Sequence, residues 1–429
     1  MRMASSSRGG SSMAVEQNRV VIVGGMRTPF VKAGAQFSAL SQLDLSAHAV
    51  AGLLERFPVT TTDIGYLVWG RVLHDPRISN LAREIVFRLK LPASIHALLV
   101  SNNCITSLHA LVDAAEAIRA GRTEVAIAGG VESMSTVPIL FGKEASDIFR
   151  RTGFARSGGE RFKQLLRLRP RHFKPRTLGF KEPSTGLTMG EHAELSAKQW
   201  QIGRQEQDEI ALRSHQRAAQ ATTDGRLKQE IYPLNGVAHD TIVRGDTSME
   251  RLAKLPPVFD RSDSGTISAG NSSPLTDGAA ALLVMSERYA LENGFTPLAV
   301  VGGYEFSAID PADGLLMAPA IAVPRLLKAN GLALSDMDIV EVHEAFGAQV
   351  ACNLKAWREG WKENAIGDVE FDRLNPLGSS ISVGHPFGAT GARIVTTLAN
   401  EMQRRQAPNG LVSVCAAGGM AAAMLLHQP

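Results

Sequence analysis

Short apolar runs alternate along this chain with stretches whose apolar positions recur at helical spacing. Val20-Val21-Ile22-Val23 and Leu411-Val412-Ser413-Val414 are nearly unbroken, as strands covered on both faces are. Leu108-His109-Ala110-Leu111-Val112-Asp113-Ala114-Ala115-Glu116-Ala117-Ile118 reads instead as a helix with one apolar face. Helices sandwiching buried mixed sheets, a layered α/β architecture, are the expected outcome.

The pattern repeats. A helix, loop and strand running from Val50 to Gly70 recur at a constant offset of 273, from Val323 to His343. Ala126-Ile127-Ala128-Gly129-Gly130-Val131 pairs with Val414-Cys415-Ala416-Ala417-Gly418-Gly419-Met420, each ending an apolar strand after a helix. Ala279 to Met285 mirrors Ala421 to Leu426. In the second copy that strand follows the Gly-Gly pair at once, whereas in the first a long segment intervenes. Two homologous halves follow, residues 19–135 with 263–295 and residues 296–429, with an inserted domain over 136–262. Residues 1–12 are small, polar and acid-free, and Glu16 is the one acid of residues 1–18. The whole stretch reads as a disordered tail, or alternatively as a short organellar presequence.

Composition narrows the function. With 429 residues, 44% hydrophobic and 20% charged, the chain is an ordinary globular one and long enough for more than one core. A net charge of +3 gives no argument for nucleic acid. Three cysteines cannot form a closed disulfide set, which points to a reducing compartment. No apolar run reaches the ~18 residues of a membrane span. Charge is uneven, however: residues 150–181 hold eleven Lys or Arg against one acid, Glu160, interleaved with Phe162, Leu165, Leu166, Leu168 and Phe173. This is either a solvated loop, a site for CoA phosphates, or a docking surface for a partner or an anionic membrane.

The candidate chemistry lies at element ends. Cys104, in Ser101-Asn102-Asn103-Cys104-Ile105-Thr106-Ser107, precedes a helix whose dipole favours thiolate. It is either a nucleophile or a small packing thiol. His385, in Gly384-His385-Pro386-Phe387-Gly388-Ala389-Thr390-Gly391, is a turn residue or a base. Cys415 is a core thiol or a reactive one, beside a Gly418-Gly419 turn that lets backbone amides approach a ligand. His343-Glu344-Ala345-Phe346 occupies the strand end equivalent by the repeat to Gly70, or alternatively is a capping segment with Glu344 opening a helix. The loop from Ala269 to Gly278 is an ordinary turn or a cradle for a pantetheine amide or phosphate. No metal-ligand spacing and no nucleotide-binding glycine signature occurs.

Taken in order, the Asn-Asn-Cys104 setting, Gly129-Gly130-Val131-Glu132-Ser133-Met134-Ser135, His343-Glu344-Ala345-Phe346, Gly384 to Gly391 and Cys415-Ala416-Ala417-Gly418-Gly419 resemble the thiolases. The likeness spans residues 19–428. Within that family, His343-Glu344-Ala345-Phe346, Ser184-Thr185-Gly186-Leu187-Thr188-Met189-Gly190, Leu212-Arg213-Ser214-His215 and the basic segment resemble the β subunits of the fatty-acid β-oxidation trifunctional complex and its bacterial counterpart. Asn375-Pro376-Leu377-Gly378-Ser379-Ser380 departs from a Gly-Gly turn usual in the family.

The resemblance implies an αβαβα thiolase fold and CoA-dependent cleavage of 3-ketoacyl-CoA to acetyl-CoA and a shortened acyl-CoA, the reverse of a Claisen condensation. It implies Cys104 as the acylated nucleophile, His385 as its base and Cys415 as the proton shuttle at the α-carbon. His343, with a water, would hold the enolate oxygen, and the amides of Cys104 and Ala417 the acyl oxyanion. Ser273 and Met189 match pantetheine-binding positions. CoA is expected as a substrate rather than a cofactor, with no metal. A homodimer or tetramer is expected, with an α subunit or membrane surface meeting residues 150–176. The implied compartment is the cytoplasm in a bacterium, or the mitochondrial matrix or another organelle in a eukaryote. A carrier-protein ketoacyl synthase is the rival reading, and Cys415 with the long insertion speaks against it.

Overall fold

A computed structural model of the chain describes residues 19–175 and 181–429; the expected tail over residues 1–18 lies outside the described residues. The chain divides into two compact units, one of Met1–Thr136 with Met189–Pro429, the other Val137–Thr188.

The larger unit is built on ten strands: β1 (Val20–Arg27), β2 (Val31–Lys32), β3 (Ile64–Gly70), β4 (His96–Val100), β5 (Val125–Glu132), β6 (Thr276–Ser286), β7 (Ala299–Ala308), β8 (Ile339–Val342), β9 (Asn409–Ala416) and β10 (Met420–His427). Nine run in the order β4-β3-β5-β6-β1-β7-β10-β9-β8, and β2 pairs with β6. The repeat is explicit in this order. β3 lies parallel to β5, which lies antiparallel to β6; β8 lies parallel to β9, which lies antiparallel to β10. β1 and β7 meet antiparallel at the join of the halves. Even the short 3-10 turns keep the offset, Thr61–Asp63 in one half and Leu334–Asp336 in the other.

Three cores give the layers. A central core packs the helices Thr106–Arg119 and Thr390–Arg405 between the inner faces of both half-sheets. A second buries the helix Gln42–Arg56 on the outer face of the first half, and a third the helices Pro319–Ala329 and Gly347–Glu359 on the outer face of the second. This is the αβαβα arrangement. The two central helices touch where a Cβ on Gly391 would strike Leu108 and Ser107, and Ala392 N donates to Ser107 Oγ at 2.9 Å.

Two expectations need correcting. The insertion between β5 and β6 is not one domain over 136–262, because only Val137–Thr188 separates. The helices Met189–Gln199 and Arg204–Thr223 bury Ala193, Ala197, Ile210 and Ala211 in the second half's outer core. A large aliphatic side chain gains about 1.5–3 kcal/mol from such burial, so these helices join the main body. The Gly-Gly pairs are also not twins. Gly129 and Gly130 lie inside β5, whereas Gly418 and Gly419 form a left-handed turn with φ of 83° and 71°. By pairing, Val131 opposite Ala279 corresponds to Cys415 opposite Ala421.

In the smaller unit, the helices Lys143–Phe154 and Gly158–Leu165 pack together, the second capped by Ser157. Phe154, Phe162, Leu166 and Phe173 are exposed among exposed arginines. Arg176 lies outside the described residues.

Candidate active site

Cys104 sits on a tight turn between β4 and the helix Thr106–Arg119. Asn103 takes a left-handed φ of 48°, which asparagine tolerates better than most residues. Thr106 clasps the turn: its Oγ1 accepts from Asn102 N at 2.8 Å and donates to Asn103 O at 2.6 Å. Asn103 Nδ2 donates to Ala417 O at 3.0 Å, so this turn of the first half holds the Cys415 loop of the second.

His385 arrives on a loop pressed flat against β5. A Cβ on Gly130 would run into the carbonyl of Gly388, and one on Gly388 into the carbonyl of Val131. Gly384 has φ 109°, and His385 N donates to Thr276 Oγ1 at 2.9 Å. The ring is then oriented by Thr390. Its Oγ1 donates to Pro386 O at 3.0 Å and lies 2.6 Å from His385 Nδ1. Assigning that hydroxyl hydrogen to the carbonyl puts the ring proton on Nδ1 and the lone pair on Nε2. Nε2 lies 3.2 Å from Cys104 Sγ, within reach for proton transfer.

His343 stacks obliquely on His385, ring centroids 4.2 Å apart. The sulfur of Cys104 and a ring nitrogen of each histidine lie within 4.8 Å of one another. Cys415, at the end of β9, is buried and feels the charge of Cys104. The amides of Ala417 and of Cys104 itself both act on the Cys104 sulfur. Ser273 is half-buried, its amide donating to Ala345 O at 2.9 Å, and Met189 packs on the core that contains Cys415.

The electrostatics differ from the expected thiolate. Burial pushes the Cys104 thiol up to about 12, against the opposing amides of Ala417 and Cys104. Burial likewise lowers His385 to about 3, with Arg393 adding to it. The helix dipole loses to desolvation, so the resting pair is neutral thiol and neutral imidazole. Cys415 is raised well above its ordinary value, by burial and then by Cys104. His343 is held well below its ordinary value by burial, then by His385 and Arg393.

Comparison with known proteins fits this geometry. Residues 20–288 match the family model of the thiolase N-terminal domain, and residues 295–428 that of the thiolase C-terminal domain. The chain belongs to the thiolase family. It is 42% identical to a 3-ketoacyl-CoA thiolase of Yersinia enterocolitica and 41% identical to one of Escherichia coli, covering 96% of this chain and 97% of each relative. Among solved structures it resembles an acetyl-CoA acetyltransferase of Bacillus anthracis (TM-score 0.84, 30% identity, 96% of this chain and 99% of that one). It also resembles the human mitochondrial 3-ketoacyl-CoA thiolase in complex with CoA (TM-score 0.82, 30% identity, 96% and 99%).

As a thiolase, the chain also uses residues that sequence reasoning assigned otherwise. Glu344 does not open a helix, since the next one starts at Gly347. Its carboxylate is buried and accepts from Ser214 Oγ at 2.6 Å and Asn375 Nδ2 at 2.8 Å, clamping the segment that leads to His385. In the sequence Thr276 reads only as a member of the polar loop from Ala269 to Gly278, and Thr390 carries no signal until its partner His385 is in place.

Proposed function

We propose that this thiolase is a 3-ketoacyl-CoA thiolase of fatty-acid β-oxidation, in which Cys104 takes the acyl group. The observation that carries the assignment of roles is the 3.2 Å contact from Cys104 Sγ to the lone pair of His385 Nε2. His385 takes the thiol proton as Sγ attacks the keto carbon. The amides of Cys104 and Ala417 receive the oxyanion, each such donor being worth roughly 3–4 kcal/mol. Collapse breaks the bond between the α- and keto carbons and leaves the acyl group on Cys104. The departing enolate takes a proton at carbon from Cys415, with its oxygen held by His343. Incoming CoA returns a proton to Cys415, and its thiolate attacks the Cys104 thioester. The released Cys104 thiolate recovers its proton from His385. A high pKa suits Cys415, which must stay a thiol until a carbanion is there to protonate.

Ser273 and Met189 are assigned to the pantetheine arm of CoA. Pairing of two copies through β4 is the proposed basis of a homodimer or a tetramer built from it. β4 ends the sheet order, and its Leu98, Leu99 and Val100 are only half-buried, the kind of edge that pairs with another chain. The exposed arginines and phenylalanines of residues 150–175 suit docking to an anionic membrane or to a β-oxidation α subunit. Liposome co-sedimentation with and without that segment tests the membrane contact. Among the described residues no helix is long and apolar enough to cross a membrane.

The deciding assay follows the magnesium-enolate absorbance of a 3-ketoacyl-CoA. CoA-dependent loss of the signal is expected, and its absence would sink the proposed activity.

A further inference from the structure

Ser380 follows a turn at Gly378 with φ of 74°, and the structure gives its hydroxyl a specific neighbourhood. Ser380 is buried at the start of a single helical turn, Ser380–Val383. Its Oγ lies 2.8 Å from His343 Nδ1 and accepts from Arg393 Nη2 at 2.9 Å. Arg393 Nη2 also reaches Ser379 Oγ at 3.3 Å. A guanidinium only donates, so one lone pair of Ser380 Oγ is taken and its hydrogen must find another acceptor.

Two arrangements are open. In one, Ser380 donates to His343 Nδ1, and of this pair only the His343 Nε2–H is left without a partner among the described residues. In the other, His343 Nδ1–H donates to Ser380, which then accepts twice and buries a hydroxyl hydrogen with no acceptor, a cost of about 1–3 kcal/mol. Protonating both nitrogens is opposed by the buried setting, by His385 and by the Arg393 charge. We propose that Ser380, committed by Arg393 to donate, is a positioning residue that fixes His343 as the tautomer protonated on Nε2. Nε2 is buried and has no hydrogen-bond partner among the described residues. The proton placed there gives the Cys104–His385 cluster an N–H available to a substrate oxygen, while His385 beside it offers a lone pair.

This inference rests on His343 holding the enolate oxygen, and its test separates the two. Heteronuclear NMR of the full chain labelled at histidine, with the His343→Asn spectrum as assignment, reads the tautomer directly. A proton on Nε2 of His343 is expected; a proton on Nδ1 in the wild-type protein overturns the proposal whatever the activity. Ser380→Ala is expected to lower the rate of carbon–carbon cleavage roughly 10- to 100-fold. Acylation of Cys104 by a simple acyl-CoA should stay near wild type, which general damage to the fold would not allow. In a His343→Asn background, Ser380→Ala should have no further effect on cleavage; an undiminished second loss contradicts the coupling. Should Ser380→Ala fail to fold, the wild-type tautomer alone decides. If wild type shows the Nε2 proton but no thiolysis, the proposed activity fails and the positioning stands.

Discussion

His385 and His343 stack face to tilted face, and each presents Nδ1 to a hydroxyl: Thr390 at 2.6 Å, Ser380 at 2.8 Å. What stands behind the hydroxyl differs. Behind Thr390 is a carbonyl, which takes its hydrogen and leaves the imidazole to donate; behind Ser380 is a guanidinium, which fills a lone pair and turns the hydroxyl toward the ring. On the proposed mechanism one histidine thereby serves as a base and the other as a donor. In that scheme, identical side chains are given opposite tasks by the hydroxyls and the groups behind them.

The comparison breaks most sharply under substitution of its reacting members. His385→Ala should lower kcat/KM by roughly 10²–10⁴-fold, the usual loss on removing a general base, and should slow acylation itself. Cys415→Ser should lose turnover on a comparable scale while still accumulating acyl-enzyme from a simple acyl-CoA. Stopped-flow acylation set against steady-state thiolysis checks both. Equal loss of both steps in Cys415→Ser would contradict the division of labour.

A smaller effect comes from the strand that seats His385. Gly130→Ala would push a methyl into the Gly388 carbonyl. Overpacking of this kind costs about 1–3 kcal/mol, and moving the imidazole off Cys104 should lower kcat more than it raises KM. Thermal unfolding alongside kinetics separates the two consequences. Wild-type stability with wild-type kcat would show that the close approach is unimportant.

The smallest effect is on pH dependence. Burial lowers His385 to about 3 and His215 to about 4, and holds His343 well below its ordinary value. Below about pH 6.5 the unfolded chain takes up protons that these folded histidines refuse. These histidines therefore give their full contribution above that pH and lose it as pH falls toward 4, while Glu132 and Glu341, raised by burial to about 8, act in the opposite direction. Denaturant midpoints of wild type and His215→Gln across the range isolate one histidine's share, the variant losing less stability than wild type as pH falls from about 6.5 to about 4.

Much of the site was legible before the fold. The five motifs placed Cys104, His343, His385 and Cys415 at element ends, and the 273-residue offset separated the two halves that meet at the site. What stayed hidden depends on pairing at long range. Asn103 reaches Ala417, Ser214 reaches Glu344 and Arg393 reaches the Ser380 hydroxyl, and no local pattern announces such partners. The Gly-Gly match misled because the same dipeptide serves close packing in β5 and a left-handed turn after β9. The expected thiolate at Cys104 failed for a related reason: helix position is local, whereas the burial that overrides it is a property of the whole fold.

Mass spectrometry of the protein quenched with an acyl-CoA in the absence of free CoA tests the central assignment most directly. The account predicts one acyl group, on the peptide containing Cys104, and none in Cys104→Ser. Acyl transfer to Cys415, or an unmodified Cys104 peptide in an enzyme that turns over, would contradict it.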